Sequence, residues 1–401
     1  MRFPTLPAAA VAAASAALLL AGPSSAVATT TTTNPRPVVG GERLAAKTVV
    51  TDLPDGVPAP PKFSAGGWVL ADLDTGEVIA ARNAHGRYLP ASTLKTLTVL
   101  TTMPQLDPGA LVQAANEDLV EGTQVGLDPH SKYTVQQLLL GTMLSSGNDT
   151  ATALARVAGG AGGVRATVAA MQANAQRLGA FDTVVHNPSG LDAPGQLSSA
   201  YDLALVARAA MALPQLRALV ATKHAQFPGK QLPGKKRKSY QISNHNTFLF
   251  NYDGATGVKN GYTVAARWTA IAAATRGGHT YVLTALRRGE SSWRPQAALF
   301  DWAFRYGGLA RPVGSLVTPE QAAELQAAAP ATASPAPVAA AGSAVALARS
   351  SAGDRSTLVL VATAAGIAVL LVGSLLGLSA RARRRQLHAA RVARSARQPV
   401  R

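Results

Sequence analysis

The chain has no cysteine, which excludes disulfide bonds, thiolate metal sites and a thiol nucleophile. Acidic residues are scarce, at 21 against 38 lysines and arginines, and there is no glutamate between Asp149 and Val258. The seven histidines form no H-E-x-x-H pattern, so we expect no metal and no cofactor. The net charge of +17 comes largely from eight arginines in the last 21 residues, so we expect no nucleic-acid partner.

The N-terminus has the pattern of a secretory signal peptide. Arg2 is followed by an Ala- and Leu-rich run from about Ala8 to Ala21, and then by Ala-Val-Ala at residues 26–28, a small-x-small cleavage pattern. The alternative is an uncleaved membrane anchor, against which the shortness of the apolar run argues. In both cases we expect the chain to leave the cytoplasm, with residues 1–28 as the signal peptide.

A second membrane signal lies near the C-terminus. No residue from Thr357 to Ala380 is charged, and at ~1.5 Å per residue a helix of that length spans a hydrocarbon core of ~30 Å. Because arginines beside a spanning helix stay on the cytoplasmic side, the arginine-rich residues 381–401 predict a short cytoplasmic tail. A pair of buried core helices is the alternative, but the charge asymmetry favours a single-pass protein of the cell membrane whose bulk is extracytoplasmic.

Composition predicts one folded block between these segments. Residues 29–62 are rich in Thr, Pro and Ala, and residues 312–356 are rich in Ala and Pro with few bulky apolar side chains. Such sequences bury too little surface to offset their ordering entropy, so they predict a leader and a flexible stalk. Residues 63–311 remain as a single catalytic domain.

Strand patterns occur at both ends of this block, and helical patterns lie between them. Residues 68–72 and 77–80 form one predicted hairpin, and residues 268–274 and 281–286 form another. The helical segments begin at about residue 92, cover residues 135–178 with an interruption at 145–148, and return at residues 292–306. This order predicts an α+β fold with an antiparallel sheet flanked by helices.

Ser92 and Lys95 lie three residues apart at a predicted helix start, so one turn places the hydroxyl and the amine on the same face. An unprotonated lysine there could take the serine proton, provided that burial or a neighbouring cation lowers its pKa. Alone, the pair is a weak signal, because a helix cap followed by a solvated lysine has the same spacing.

Two later segments place polar or basic residues in apolar surroundings. Ser146-Gly147-Asn148 interrupts the helical stretch, and in isolation it would indicate a turn between helices. Residues 257–263 (Gly-Val-Lys-Asn-Gly-Tyr-Thr) place Lys259 in a strand-like run beside two glycines. That pattern is typical of a backbone approached by a ligand, or of an edge strand protected by lysine.

In this order, the three segments resemble the S-x-x-K, S-D-N and K-T-G set of the penicillin-recognising serine peptidases and β-lactamases. More narrowly, the chain from about Gly66 to Tyr306 resembles the D-alanyl-D-alanine carboxypeptidases, which are low-molecular-mass penicillin-binding proteins. Further stretches carry the resemblance: PASTLK at 90–95, LSSGND at 144–149, NPSGLD at 187–192, SAYDLA at 199–204 and SNHN at 243–246. It implies a β-lactamase/DD-peptidase-like fold, peptidoglycan stem peptides as substrates, and β-lactam antibiotics as covalent inhibitors.

The resemblance also implies a role for each residue. Ser92 would attack the carbonyl between two terminal D-alanines with Lys95 as its base, and Ser146 would relay a proton to the leaving amine. Asn148 would hold the acyl-side amide, and Lys259 would keep the pocket positive and attract the substrate carboxylate. The backbone N–H groups of Ser92 and Tyr262 would form the oxyanion hole. The resemblance also implies that Asn260, Gly261, Tyr262 and Thr263 bind the substrate.

Two positions depart from the family pattern. Asn260 stands where threonine is usual, so the hydroxyl that meets the substrate carboxylate is missing. We expect altered affinity rather than lost chemistry, if the side chain points into the cleft. Arg267 stands where glycine is common, and we expect it to point to solvent. The basic run at residues 235–238 predicts a solvated loop.

Two alternatives stay open. Class A β-lactamases deacylate with a glutamate between their second and third motifs, and its absence here favours a peptidase over a β-lactamase. The other alternative is a catalytically silent peptidoglycan-binding protein of the same fold, which Asn260 suggests.

Overall fold

The computed structural model describes residues 38–328. The predicted signal peptide (1–28), most of the predicted stalk, the predicted transmembrane helix (357–380) and the basic tail (381–401) lie outside the described residues and stay predictions.

An antiparallel sheet of seven strands forms the centre of the fold. The described strands, including two short hairpins outside this sheet, are β1 (Val49–Thr51), β2 (Gly67–Asp72), β3 (Glu77–Arg82), β4 (Leu111–Gln113), β5 (Lys132–Thr134), β6 (His224–Pro228), β7 (Ser239–Ser243), β8 (Ala255–Thr263), β9 (Arg267–Arg276), β10 (His279–Arg288) and β11 (Gly314–Ser315). The sheet order is β1-β3-β2-β10-β9-β8, and β11 also pairs with β3. Strands from the two ends of the domain therefore pair through β2 and β10, as the sequence predicts.

Helices cover both faces of this sheet. They are α1 (Lys95–Thr102), α2 (Val135–Met143), α3 (Asn148–Ala158), α4 (Gly163–Arg177), α5 (Ala200–Ala212), α6 (Pro214–Ala221), α7 (Thr247–Asn251), α8 (Arg294–Tyr306) and α9 (Pro319–Ala328). Because side chains alternate along a strand, Val69 and Ala71 of β2 join the core under α1–α6, whereas Trp68 and Leu70 join the core with α8. The β2 strand is thus buried on both faces.

The helix boundaries follow from local chemistry. Thr134 caps α2 by accepting from the backbone N–H of Gln137, whose side chain accepts from the Thr134 N–H in return. The helical stretch breaks between α2 and α3, where Ser146 has a φ of 61°. The α1 helix begins at Lys95 rather than at Ser92, because a 3₁₀ turn covers Ala91–Leu94.

Ordered structure extends beyond the predicted 63–311 domain on both sides. The β1 strand lies inside the predicted leader and pairs with β3. This pairing covers an edge of β3 that would otherwise be open. Asp52 accepts from both Arg43 and Arg311, at 2.7 and 2.8 Å. Beyond Arg311, Val313 and Leu316 are buried and α9 follows, so the first part of the predicted stalk packs on the domain.

The basic run lies between β6 and β7. Its three lysines, Lys235, Lys236 and Lys238, are exposed, as a solvated loop requires. Arg237 differs, because its guanidinium lies 4.5 Å from the centre of the Tyr133 ring and donates to the Gly229 carbonyl.

Among residues 38–328, no single helix is both long and apolar enough to cross a bilayer. The pair α5 and α6, bent by 106° at their junction, reaches the required length and apolarity only when both helices are taken together.

Candidate active site

Ser92 lies in the 3₁₀ turn that precedes α1. Two threonine hydroxyls hold this turn, because Thr93 and Thr269 both donate to the carbonyl of Pro90, at 2.6 and 2.9 Å. The preceding residue, Ala91, has a φ of 48°, a left-handed conformation that costs roughly 1–2 kcal/mol for a residue with a Cβ. The surrounding structure keeps this strain, which is typical of functional sites.

Lys95 is fully buried, and its amine has three neighbours. The Nζ atom lies 2.7 Å from Asn148 Oδ1, 2.6 Å from the Ser189 carbonyl oxygen and 3.0 Å from Ser92 Oγ. The first two atoms can only accept, so they take both hydrogens of a neutral amine. A neutral amine that donates to both of these atoms would have its lone pair left for the Ser92 hydroxyl, which is the arrangement that a general base requires.

Burial and charge both favour the neutral form of Lys95. Burial lowers the pKa of Lys95 well below its ordinary value, and the charge of Lys259 lowers it further, while Asp149 acts in the opposite direction. Lys259 is also buried, and burial lowers its pKa to about 7. Its amine donates to the Asn260 carbonyl at 2.8 Å and forms no ion pair within the described part of the chain.

Asn148, the first residue of α3, joins Lys95 to a wall of the cleft. Its Oδ1 accepts from Lys95, and its Nδ2 donates to the Glu121 carbonyl at 2.6 Å. The next residue, Asp149, is buried and accepts from four backbone N–H groups, three of which belong to residues 125–127. In this structure the Asn148 amide therefore positions the Lys95 amine, and its predicted contact with the acyl-side amide stays a prediction.

Ser146 is buried two residues before Asn148. Its left-handed backbone places it in the turn between α2 and α3. No hydrogen bond joins its hydroxyl to Ser92 or Lys95 among the described residues, so its predicted proton relay stays a prediction.

The β8 strand forms the edge of the sheet beside the nucleophile. A Cβ at Gly261 would lie 2.6 Å from the backbone nitrogen of Ser92, so only glycine lets the strand approach this closely. At the end of β8, Thr263 donates to Asp192 at 2.9 Å. The exposed Tyr262 ring lies 4.4 Å from the Trp268 ring. The structure thus brings the first and third sequence segments together.

The Asn260 side chain contacts the 243–246 segment. Its Nδ2 donates to the His245 carbonyl at 3.2 Å, and its Oδ1 is buried without a partner. The 243–246 segment therefore engages one of the two N–H groups of the amide that was expected to meet the substrate carboxylate. Arg267 is exposed, as predicted.

Sequence reasoning assigned no role to the turn at residues 187–190, although this turn completes the site. Its Ser189 carbonyl is a partner of Lys95, and Asn187 Oδ1 accepts from the backbone N–H groups of Ser189 and Gly190. Gly190 has a φ of 77°, and a Cβ there would lie 1.9 Å from the Ala91 carbonyl oxygen. The Asn-Pro-Ser-Gly sequence, typical of a turn, was the available signal.

We expect Gly190→Ala to lower the free energy of unfolding by about 3 kcal/mol and to slow acylation. The left-handed backbone accounts for about 1–2 kcal/mol, and displacement of the Ala91 carbonyl accounts for the rest. The control is Gly56→Ala, because Gly56 has a φ of 85° but open space around its Cβ position. Denaturant unfolding of both variants measures the difference, and equal losses would contradict the contact with Ala91.

The site therefore holds a hydroxyl, a buried amine with a lowered pKa 3.0 Å from it, and a second buried lysine. Residues 55–287 match the profile of the D-alanyl-D-alanine carboxypeptidases, peptidase family S11. The chain belongs to this family. The predicted family, hydrolase class and carboxypeptidase function are thereby confirmed.

Two curated relatives illustrate the similarity. The chain is 42% identical over 260 residues to the D-alanyl-D-alanine carboxypeptidase DacB2 of Mycobacterium tuberculosis, covering 62% of this chain and 85% of DacB2. It is 33% identical over 215 residues to DacF of Bacillus subtilis, covering 52% of this chain and 54% of DacF.

Solved structures confirm the fold. A crystal structure of a D-alanyl-D-alanine carboxypeptidase from M. tuberculosis matches with a TM-score of 0.61 and 40% identity, covering 67% of this chain and all of that one (100%). The Streptomyces K15 DD-transpeptidase matches with a TM-score of 0.58 and 28% identity, covering 63% and 99%. The antiparallel sheet with flanking helices is therefore that of the penicillin-binding and β-lactamase-like enzymes.

Proposed function

We propose that this carboxypeptidase removes the terminal D-alanine from peptidoglycan pentapeptide stems through an acyl-enzyme on Ser92. The observation that carries the proposal is the fully buried Lys95 amine, which lies 3.0 Å from Ser92 Oγ and donates to Asn148 Oδ1 and to the Ser189 carbonyl. A buried, neutral amine in this position can take the proton of the serine hydroxyl and so activate it as a nucleophile.

The proposed reaction has two halves. Ser92 Oγ attacks the carbonyl between the two D-alanines, its proton passes to Lys95, and Ser146 relays a proton to the departing amine of D-alanine. Water then attacks the ester on Ser92, giving the shortened stem and the free hydroxyl. The N–H groups of Ser92 and Tyr262 would stabilise the negative oxygen in both halves, and each such donor typically contributes ~10²–10³ in rate.

Lys259 gives the pocket its affinity for anions. Its charge lowers the pKa of Lys95 and would attract the terminal carboxylate of the stem. β-Lactam antibiotics carry a comparable carboxylate beside their reactive carbonyl, so they would acylate Ser92 as covalent inhibitors.

The proposed location is the outer face of the cell membrane. It rests on the signal-peptide pattern at residues 1–28, the uncharged run at 357–380 and the basic tail at 381–401. Protease treatment of intact spheroplasts tests it, since the catalytic domain should be digested from outside while the tail is protected.

The full chain tests the proposed activity directly. We expect it to release D-alanine from a synthetic pentapeptide stem and to form a covalent adduct with a fluorescent penicillin. A silent peptidoglycan-binding protein would bind the stem without releasing D-alanine, and the engaged amide of Asn260 favours that second candidate. A β-lactamase would instead turn penicillin over rapidly and leave no lasting adduct.

Asn260→Thr is expected to raise kcat/KM for D-alanine release by roughly 3- to 10-fold, chiefly through KM. The reason is that a hydroxyl at this position can donate to the substrate carboxylate, whereas the amide donates to His245. Steady-state kinetics measure the change. The control is Asn260→Val, which has the shape of threonine without the hydroxyl, and an equal gain in both variants would contradict the explanation.

A further inference from the structure

A small cavity with two arginines lies between the segment that leads to Ser92 and the turn that follows β8. Its volume is about 190 Å³, and its walls include Arg87, Leu89, Ala265, Ala266 and Arg287. A cavity of that volume suits a small polar group rather than a whole peptide residue. None of the residues that line the cavity is acidic.

The backbone at Arg287 is strained. Its φ is 53°, a conformation in which glycine or asparagine is usual. The pairing of β10 with β9 shifts between Ala285 and Arg288, so Arg287 lies in a β-bulge. Bulges next to active sites re-aim side chains, and strained residues concentrate where function requires the geometry. This conformation is a second indication, independent of the cavity, that Arg287 has a role.

The two guanidinium groups have no carboxylate partner in the described part of the chain. Arg87 donates to the backbone carbonyl of Asp182 at 3.3 Å, while the Asp182 carboxylate is engaged by His85 at 2.8 Å. Arg287 forms no ion pair there, and both arginines are exposed. Two positive groups around one concavity therefore remain available to an anion.

The cavity lies near the nucleophile on the acyl side. Leu89 precedes Ser92 by three residues. Gly261 contacts the Ser92 backbone, and Ala265 follows Gly261 by four residues. At ~3.3 Å per residue, the backbone of Leu89 lies at most ~10 Å from that of Ser92, and the backbone of Ala265 lies at most ~13 Å from that of Gly261. In the proposed function the terminal carboxylate lies toward Lys259. The strand runs from Lys259 past Gly261, beside Ser92, to the turn with Ala265, so the cavity lies on the side that would face the rest of the stem.

We propose that Arg87 and Arg287 form a subsite for a carboxylate carried by the stem peptide on the acyl side of the scissile bond. This inference rests on the proposed function. The distance suits either a carboxylate at the end of a long side chain on the second residue before the scissile bond or one on the third residue. The subsite makes the enzyme selective for stems that keep this negative charge.

Three synthetic peptides ending in D-Ala-D-Ala test the subsite on the full chain. One is neutral on the acyl side, one has a carboxylate at the end of a long second-residue side chain, and one has a carboxylate on the third residue. We expect one carboxylate peptide to exceed the neutral peptide in kcat/KM by roughly 5- to 10-fold, mainly through KM. In Arg287→Ala and Arg87→Ala this ratio should fall to near one, and Arg287→Lys should keep part of it.

Arg217→Ala is the matched control, because Arg217 is exposed on α6 and does not line the cavity. It should keep the full ratio. The subsite is refuted if the wild-type chain shows no preference between the peptides, or if the preference survives both arginine substitutions. Failure of the proposed function itself looks different, since no peptide would then release D-alanine.

Discussion

Ser92→Ala is expected to reduce D-alanine release by roughly 10⁴-fold or more and to abolish covalent labelling by penicillin. The substitution removes the oxygen that forms the ester, and no other hydroxyl contacts the Lys95 amine in the described part of the chain. The fold should persist, because Lys95 keeps its contacts with Asn148 and Ser189. Intact-mass spectrometry after exposure to a β-lactam, together with a D-alanine assay, measures both effects.

Ser145→Ala is the control for this experiment, since Ser145 directly precedes Ser146 and takes part in none of the Lys95 hydrogen bonds found in the described part of the chain. It should be labelled like the wild-type chain. A penicillin adduct on the Ser92→Ala variant would mean that another residue is acylated and would end the proposed mechanism.

Lys95→Met is expected to slow acylation by roughly 10³–10⁴-fold, because methionine fills the volume of the lysine without a basic atom. Lys95→Arg should be as inactive, since a guanidinium donates but does not deprotonate. Stopped-flow acylation by a chromogenic β-lactam measures the rates. Substantial activity in the arginine variant would show that positive charge, rather than a neutral amine, is what the position supplies.

The same base predicts the pH dependence. The active form of Lys95 is neutral, and burial together with Lys259 lowers its pKa, so the wild-type chain should remain active near neutral pH. As the pH falls through the pKa of Lys95, its amine takes a proton and the acylation rate should decline. In Lys95→Met the remaining rate should lack this acidic decline, whereas a decline that persists would assign it to another group.

The sheet and the proximity of Ser92 and Lys95 could be predicted from the sequence because both depend on local patterns. The two hairpins consist of apolar runs around glycine-containing turns, and Ser92 and Lys95 are one turn apart. The Ser189 carbonyl could not be predicted, because any residue type supplies a backbone carbonyl. The direction of the Asn260 side chain depends on His245, fifteen residues away, and so required the tertiary structure.

Ordered segments lie outside the predicted 63–311 domain for a comparable reason. Residues 49–51 and 313–317 have too few apolar side chains to form a core alone, and they are held by β3 and by the ion pairs of Asp52. Composition describes a segment in isolation, whereas these segments are stabilised by surfaces that distant parts of the chain provide.

The start of α3 has a consequence for drug resistance. Asp149 holds the loop at residues 125–127 through backbone N–H groups, and its neighbour Asn148 touches both Glu121 and the base. A mutation that shifts this loop would therefore rotate the Lys95 amine away from Ser92. Strains selected under β-lactam treatment could acquire slow acylation by this route, with every residue that meets the drug unchanged.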